Sequence, residues 1–396
     1  MPLNQEIADH SVMSTYNRLP ITLLSGKGSY VWDEHTHYFL DYTSGIATCN
    51  LGHVPERVKE KVEEQVNKLW HCSNLYHIPT QEKLASKLTE LSCTDQAFFC
   101  NSGAEANESA IKLARRYSQK CKEQNPGEIV TFSQSFHGRT LATLTATGQE
   151  KIQDGFAPLP GGFRYLPYND FEALNEIHQE HTSAVMLELI QGEGGIIPAN
   201  PEWIQQLANI CHDKGILLMV DEVQTGIGRT GTLFAYEQFG IEPDVITLAK
   251  GLGSGFPIGA VLAKEYVANA FVPGSHASTF GGNPLATTAA LATIETIQEQ
   301  EVLKQCNENS TYLKQQLEDL KAQFPEVIYD IRGEGFLLGI ETSQQAIDIV
   351  HKAREHNVLI LTAGQHVVRI LPPLTTDKSE IDVFINVMRT IFKTLD

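Results

Sequence analysis

The middle of the chain alternates short apolar runs with amphipathic stretches, and this alternation restricts the possible folds more than any other feature. Ala97–Cys100, Glu128–Phe132, Ala184–Ile190, Ile216–Val220 and Val245–Leu248 are short, β-branched or Leu-rich, and bounded by Gly, Pro or Asp. Such runs predict strands. Helical spacing lies between them, as in Ala106, Ala110, Leu113, Ala114 and Tyr117, and again over Pro201–Lys214. Strands that alternate with helices form right-handed βαβ units and a mainly parallel sheet. Ligands of such sheets bind at the carboxyl ends of the strands, so the residues after each strand are where chemistry is sought. After Asn283-Pro284 the pattern changes to long helices over Leu285–Thr296 and Val302–Leu320, short strands near Gly335–Ile340 and Val367–Ile370, and a last helix over Lys378–Leu395. The expected division is an N-terminal segment, 1–55, packing with a small α+β domain, 291–396, and a large ligand-binding domain, 56–290.

Bulk properties exclude several function classes. The formal net charge is -18, which argues against nucleic acid or an anionic membrane as a partner. Seven Cys at 49, 72, 93, 100, 121, 211 and 306 form no CxxC pair and read as reduced thiols of a cytoplasmic protein. Met1–His10 carries Glu6 and Asp9 without an apolar core, so it is not read as a signal peptide. No run approaches the roughly 18 apolar residues of a transmembrane helix. No metal site is expected.

The strand ends carry the candidates. Asp221, after Ile216–Val220, is read as a helix cap or loop carboxylate, or as the partner of a pyridinium nitrogen. A Walker B role needs a GxxxxGK[ST] loop, which the chain lacks. Lys250 follows Val245–Leu248 and precedes a glycine-rich run. It is either a solvated loop lysine or an amine whose pKa an apolar site lowers toward about 7–8, free to react with an aldehyde. Asn101-Ser102-Gly103-Ala104-Glu105 sits between a strand and a helix. It can be a capping box, a phosphate seat, or both. Phe136 is core or a stacking platform. Arg139 and Arg369 are surface arginines or forks for carboxylates.

Asn101-Ser-Gly-Ala-Glu-Ala-Asn, Phe136-His-Gly-Arg-Thr, Asp221-Glu-Val-Gln-Thr-Gly, Arg229-Thr-Gly, Lys250-Gly and Ser278-Thr-Phe-Gly-Gly-Asn-Pro occur in this order. From about Thr15 to the C-terminus the chain resembles the class III aminotransferases. The resemblance implies the pyridoxal-phosphate-dependent transferase fold type I, an α/β architecture whose large domain holds a mainly parallel seven-stranded sheet and whose smaller domain is α+β. It also implies pyridoxal 5'-phosphate as cofactor. Lys250 would bond the cofactor aldehyde and move the proton between donor and cofactor carbons. Asp221 would pair with the ring nitrogen, Phe136 would stack on the ring, and Gln224 would bind near the phenolic oxygen. Ser102, Gly103 and Ala104 would hold the phosphate. Thr279 would reach the phosphate of a neighbouring subunit, which implies a homodimer with shared active sites. Arg369 would bind the α-carboxylate of glutamate or 2-oxoglutarate, and Arg139 the far carboxylate. Glu193 would neutralise Arg369 when a terminal amine reacts.

Within the class, Trp70-His-Cys-Ser-Asn-Leu-Tyr, the run from Lys250 to Ala260 and the run from Leu361 to Leu374 are most similar to members acting on N-acetylornithine. Ile46 stands where enzymes of free ornithine carry tyrosine. The other readings are a class III enzyme of succinylornithine, N-succinyl-diaminopimelate or 4-aminobutyrate, an ATP-dependent enzyme with Asp221-Glu222 as Walker B, and a non-catalytic binding protein. Leu51-Gly-His-Val-Pro departs from the family, which usually has a second His before the Pro and one more residue.

Overall fold

The computed structural model describes residues 11–122 and 127–395. The reading of Met1–His10 lies outside the described residues. Seven strands form the central sheet: β1 Gln96–Cys100, β2 Glu128–Phe132, β3 Phe163–Leu166, β4 Thr182–Leu187, β5 Leu217–Asp221, β6 Val245–Leu248 and β7 Gly259–Ala263. Their order is β1-β7-β6-β5-β4-β2-β3. β7 alone runs against its neighbours, pairing antiparallel with both β6 and β1. The other neighbouring pairs are parallel.

Every residue of β5, β6 and β7 is buried, as a sheet covered on both faces requires. Alternate residues divide between two cores. Val185, Leu187, Leu218, Val220 and Ile246 pack with Trp203, Ile204 and Leu207 of the helix Pro201–Lys214. Ala184, Met186, Leu217, Met219 and Val245 pack with Ala106, Ala110, Ile111 and Ala114 of the helix Gly103–Lys120. The first helix starts at Asn200, whose side chain accepts from the amides of Glu202 and Trp203, and ends at Gly215 with φ 60°. Both features are standard stop and start chemistry for a helix.

β7 and β3 are absent from the sequence-based set. Gly259 opens β7 because a Cβ there would lie 2.4 Å from the carbonyl oxygen of Ser102. The expected strand Ala184–Ile190 is shorter in the structure. β4 stops at Leu187, and Ile190–Gln191 forms a separate two-residue strand with Ile197–Pro198. The side chain of Glu188 explains the break, as described below.

Leu23–Lys27, Tyr30–Asp33 and Tyr38–Asp41 form a meander that continues through a parallel pairing of Tyr38–Asp41 with Val358–Leu359. A further sheet holds Ile328–Glu334, Leu337–Thr342, Val367–Ile370 and Leu361–Thr362. The helix Lys378–Phe392 starts at a capping box of Asp377 and Glu380. Arg229 joins these parts. It is wholly buried, and its guanidinium donates to Asn50 Oδ1 at 2.7 Å, to the Phe336 carbonyl at 3.2 Å and to the Pro372 carbonyl. Burial pulls its pKa down to about 10. Among the described residues, no helix is long and apolar enough to cross a membrane.

Trp203 packs edge-on against Phe132 and Tyr168, each at a ring distance of 5.1 Å, and has no exposed surface. Trp203→Ala should therefore destabilise the fold by about 3–5 kcal/mol. Urea unfolding measures this, and a loss below about 1 kcal/mol would contradict the packing argument.

Candidate active site

Asp221 is the last residue of β5 and is buried. Three other segments and its own turn converge on its carboxylate. Oδ2 accepts from Asn107 Nδ2 at 2.7 Å and meets His137 Nδ1 at 2.8 Å. Oδ1 accepts from the Val223 amide at 3.0 Å and from Thr247 Oγ1 at 3.5 Å. Burial of His137 opposes its charge, but the Asp221 bond and the nearby carboxylates outweigh this and raise its pKa.

The carboxylate opens onto a cavity of about 470 Å³ at the carboxyl end of the sheet, lined among others by Ser102, Gly103, Ala104, Phe136, Gln224 and Lys250. Lys250 follows β6 with φ 39°, a left-handed conformation held at the start of a tight turn. Burial pulls its amine down to about 8, against the opposing pull of Glu193. The N-terminus of the helix Gly103–Lys120 forms another wall. Ser102 Oγ accepts from the Glu105 amide at 3.2 Å, and Glu105 Oε2 accepts from the Asn101 amide at 2.5 Å. Gly103 is required there, since a Cβ would lie 2.7 Å from Val223 Cγ1. Cap and open amides thus coexist.

Beside the cavity, Arg369 projects from the strand Val367–Ile370. Its Nη1 donates to Glu193 Oε1 at 2.5 Å, to the Gly192 carbonyl at 3.2 Å and to Gln224 Oε1 at 3.3 Å. Burial alone would raise the Glu193 carboxyl, but Arg369 and then Lys250 overcome this and lower it. Arg139 is exposed at the cavity, its guanidinium 5.6 Å from the centre of the Phe136 ring. Thr279 is exposed and does not line this cavity.

Three further residues belong to the site. Asn107 lies one turn into the helix and bonds both Asp221 and the His137 carbonyl. His137 follows Phe136. Glu188 lines the cavity, and its carboxylate accepts from the Phe136 amide at 2.9 Å and from the Gly192 amide at 3.3 Å. These bonds turn the chain away from β4. The polar residue in an otherwise apolar run was the available signal for Glu188, and adjacency to Phe136 was the signal for His137.

A mostly parallel sheet with a lysine, an aspartate and a helix N-terminus gathered at its carboxyl edge is the architecture of a type I transferase. The family model of class-III aminotransferases matches residues 12–392. The chain belongs to that family. It is 58% identical to the acetylornithine aminotransferase of Oceanobacillus iheyensis over 96% of this chain and 95% of that one. The solved N-acetylornithine aminotransferase of Stenotrophomonas maltophilia superposes with a TM-score of 0.84 at 35% identity, covering 96% of this chain and 97% of that one. The ornithine aminotransferase of Toxoplasma gondii, whose structure holds PLP at partial occupancy in its active site, superposes with a TM-score of 0.94 at 28% identity, covering 98% and 93%.

Glu222 follows Asp221 but turns into the core, where it accepts from Thr225 Oγ1 at 2.7 Å and the Tyr236 amide at 2.9 Å. Burial pushes its carboxyl up from 4.5 to about 7. A carboxyl with a raised folded pKa binds more protons folded than unfolded. Its contribution is therefore fullest below the unfolded value and is lost as pH rises through the folded one. Urea unfolding at about pH 5 and about pH 8 should show the wild type losing stability relative to Glu222→Gln by about 1 kcal/mol or more. A difference independent of pH would refute the assignment.

Proposed function

We propose that the protein moves the terminal amino group of N-acetylornithine to 2-oxoglutarate, giving N-acetylglutamate 5-semialdehyde and glutamate, as a cytoplasmic enzyme of arginine biosynthesis with pyridoxal 5'-phosphate as cofactor. The observation that carries this reading is the Glu193–Arg369 pair beside Lys250. A terminal-amine donor brings no carboxylate to Arg369, and a buried cation left alone costs about 3–5 kcal/mol. Glu193 removes that cost. Glutamate and 2-oxoglutarate bring their own α-carboxylate and displace Glu193. The relatives named acetylornithine aminotransferase support the same donor.

The cavity suits the cofactor. A helix N-terminus with open amides faces it for a phosphate, a buried carboxylate faces it for a pyridinium, and the amine of Lys250 reaches it for an aldehyde. When bound, the cofactor supplies an electron sink for the carbon that loses its proton. Ser102, Gly103 and Ala104 would hold its phosphate. Phe136 would cover one face of its ring, with Gln224 near the phenolic oxygen. Asp221, fixed by Asn107 and His137, would keep the ring nitrogen protonated. Lys250 would hold the aldehyde carbon. With a folded pKa of about 8 its amine is partly neutral near pH 7, as proton abstraction requires. Arg139, at the cavity mouth, would take the far carboxylate.

Residues 56–290 are read as the cofactor-binding domain, with 1–55 and 291–396 forming the second unit. Thr279 is exposed, and neighbouring Phe280 is 62% exposed, which suits a homodimer in which Thr279 completes the partner's phosphate seat. Ile46, 45% exposed with φ 63°, stands where enzymes of free ornithine carry tyrosine and argues against that donor.

Purified protein loaded with pyridoxal 5'-phosphate should change its visible spectrum on addition of N-acetylornithine alone, and again with glutamate alone. A response to glutamate only would move the donor to a sibling ω-amine. No cofactor binding would remove the proposal. Glu193→Ala should slow the N-acetylornithine half-reaction at least about tenfold more than the glutamate half-reaction. Stopped-flow measurement decides this, and equal losses would count against the switch.

A further inference from the structure

Glu193 lies in the loop of a small hairpin. Ile190–Gln191 and Ile197–Pro198 pair antiparallel, so residues 192–196 form the connection. Both sides of that loop are tied from outside it. On the N-terminal side, Glu188 accepts from the Gly192 amide at 3.3 Å with one oxygen and from the Phe136 amide at 2.9 Å with the other. On the C-terminal side, Arg332 Nε donates to the Gly195 carbonyl at 2.8 Å, while its Nη1 is held by Glu341 at 2.6 Å. Arg332 belongs to the strand Ile328–Glu334 of the other sheet. Between the two ties, one nitrogen of Arg369 grips both the Gly192 carbonyl and the Glu193 carboxylate.

We propose that Glu188 and Arg332 are positioning residues that anchor the two ends of the Glu193 loop, so that Glu193 returns to Arg369 each time a dicarboxylate leaves, and that they thereby set the preference for a donor without an α-carboxylate at Arg369. The donor part of this inference rests on the function proposed above. The physical reason is entropic. Glu193 is flanked by Gly192, Gly194 and Gly195, the last with φ 108°, and glycines lose the most freedom on ordering. A loop of this composition populates its paired state only if its ends are fixed, and apparent affinity falls with the fraction of the competent state. Glu188 fixes one end with the same carboxylate that holds the Phe136 backbone, so the ring platform and the charge switch share one support.

Two substitutions test the anchors. Glu188→Gln keeps the volume but leaves only one carbonyl oxygen for two amides. Arg332→Met keeps the aliphatic stem without a donor. In the substrate-free holoenzyme, amide hydrogen exchange over residues 189–198 should become about five- to tenfold faster in both variants, the worth of one hydrogen bond of ordinary net strength. The ratio of kcat/KM for the N-acetylornithine half-reaction to that for the glutamate half-reaction should fall by a similar factor. Unchanged exchange in both variants, or equal losses in the two half-reactions, would overturn the proposal. A wild-type enzyme that ignores N-acetylornithine but accepts glutamate would strike at the donor instead, and exchange would still decide the anchors.

Discussion

The site is organised around one buried carboxylate. An ionised group inside a protein is tolerated only when its oxygens are met by donors, and Asp221 obtains them from a helix, a loop and a neighbouring strand. Apart from the Val223 amide in its own turn, each donor must arrive from a different part of the chain. The helix Gly103–Lys120 has to lie across the sheet with Asn107 turned inward. The loop after β2 has to fold back so that His137 reaches β5. Once these are fixed, the amides of Ser102–Ala104 and the ring of Phe136 are placed too, because they sit within a turn of Asn107 and next to His137. The demands of a single buried charge therefore set the geometry of most of the cavity.

A second set of charges is placed by the junction between the large sheet and the smaller one. Arg369 comes from the small sheet, Glu193 from the hairpin after β4, and Gln224 from the loop after β5. Arg229 holds that junction without a carboxylate, through three oxygens from the segments around Asn50, Phe336 and Pro372. That lock of oxygen dipoles leaves Arg229 without a neutralising carboxylate, and beside the cavity Arg369 and Lys250 both act on Glu193. The net charge of -18 says nothing of this, because local cations within a few ångströms outweigh distant surface acids that solvent screens.

The sequence made the sheet readable where burial on both faces gives short, mainly apolar and β-branched runs, as at Glu128–Phe132 and Val245–Leu248, both of which match residue for residue. It was less readable where a tertiary bond overrides local pattern. Ala184–Ile190 reads as one strand by composition, yet Glu188 leaves it because two amides from other segments need its oxygens. β7 was obscured by the glycine-rich run before it and by its reversed direction, which no periodicity reports. Asp221 and Lys250 could be picked out as strand-end residues. Asn107 could not, since its importance lies in a partner more than eighty residues away in sequence, and His137 is marked only by its place beside Phe136.

On the function proposed above, the Glu193–Arg369 pair opens to admit a dicarboxylate, and the difference in burial makes Glu193 the partner that moves. Arg369 sits in mid-strand, paired on one side with Gly339 and on the other with Leu361, and its side chain is 4% exposed. Moving its guanidinium away would forfeit its bonds to the Gly192 carbonyl and Gln224 as well as to Glu193 and leave a cation without acceptors in a dry interior, a cost of several kcal/mol. Glu193 is 31% exposed and lies among glycines in a short connection. Its carboxylate can swing toward water and recover hydration at little cost. The cation is therefore the fixed element and the carboxylate the mobile one. Under the function proposed above, such an arrangement would let one cavity accept a substrate with a carboxylate at that position and one without it, while Asp221 and Lys250 stay where the sheet holds them.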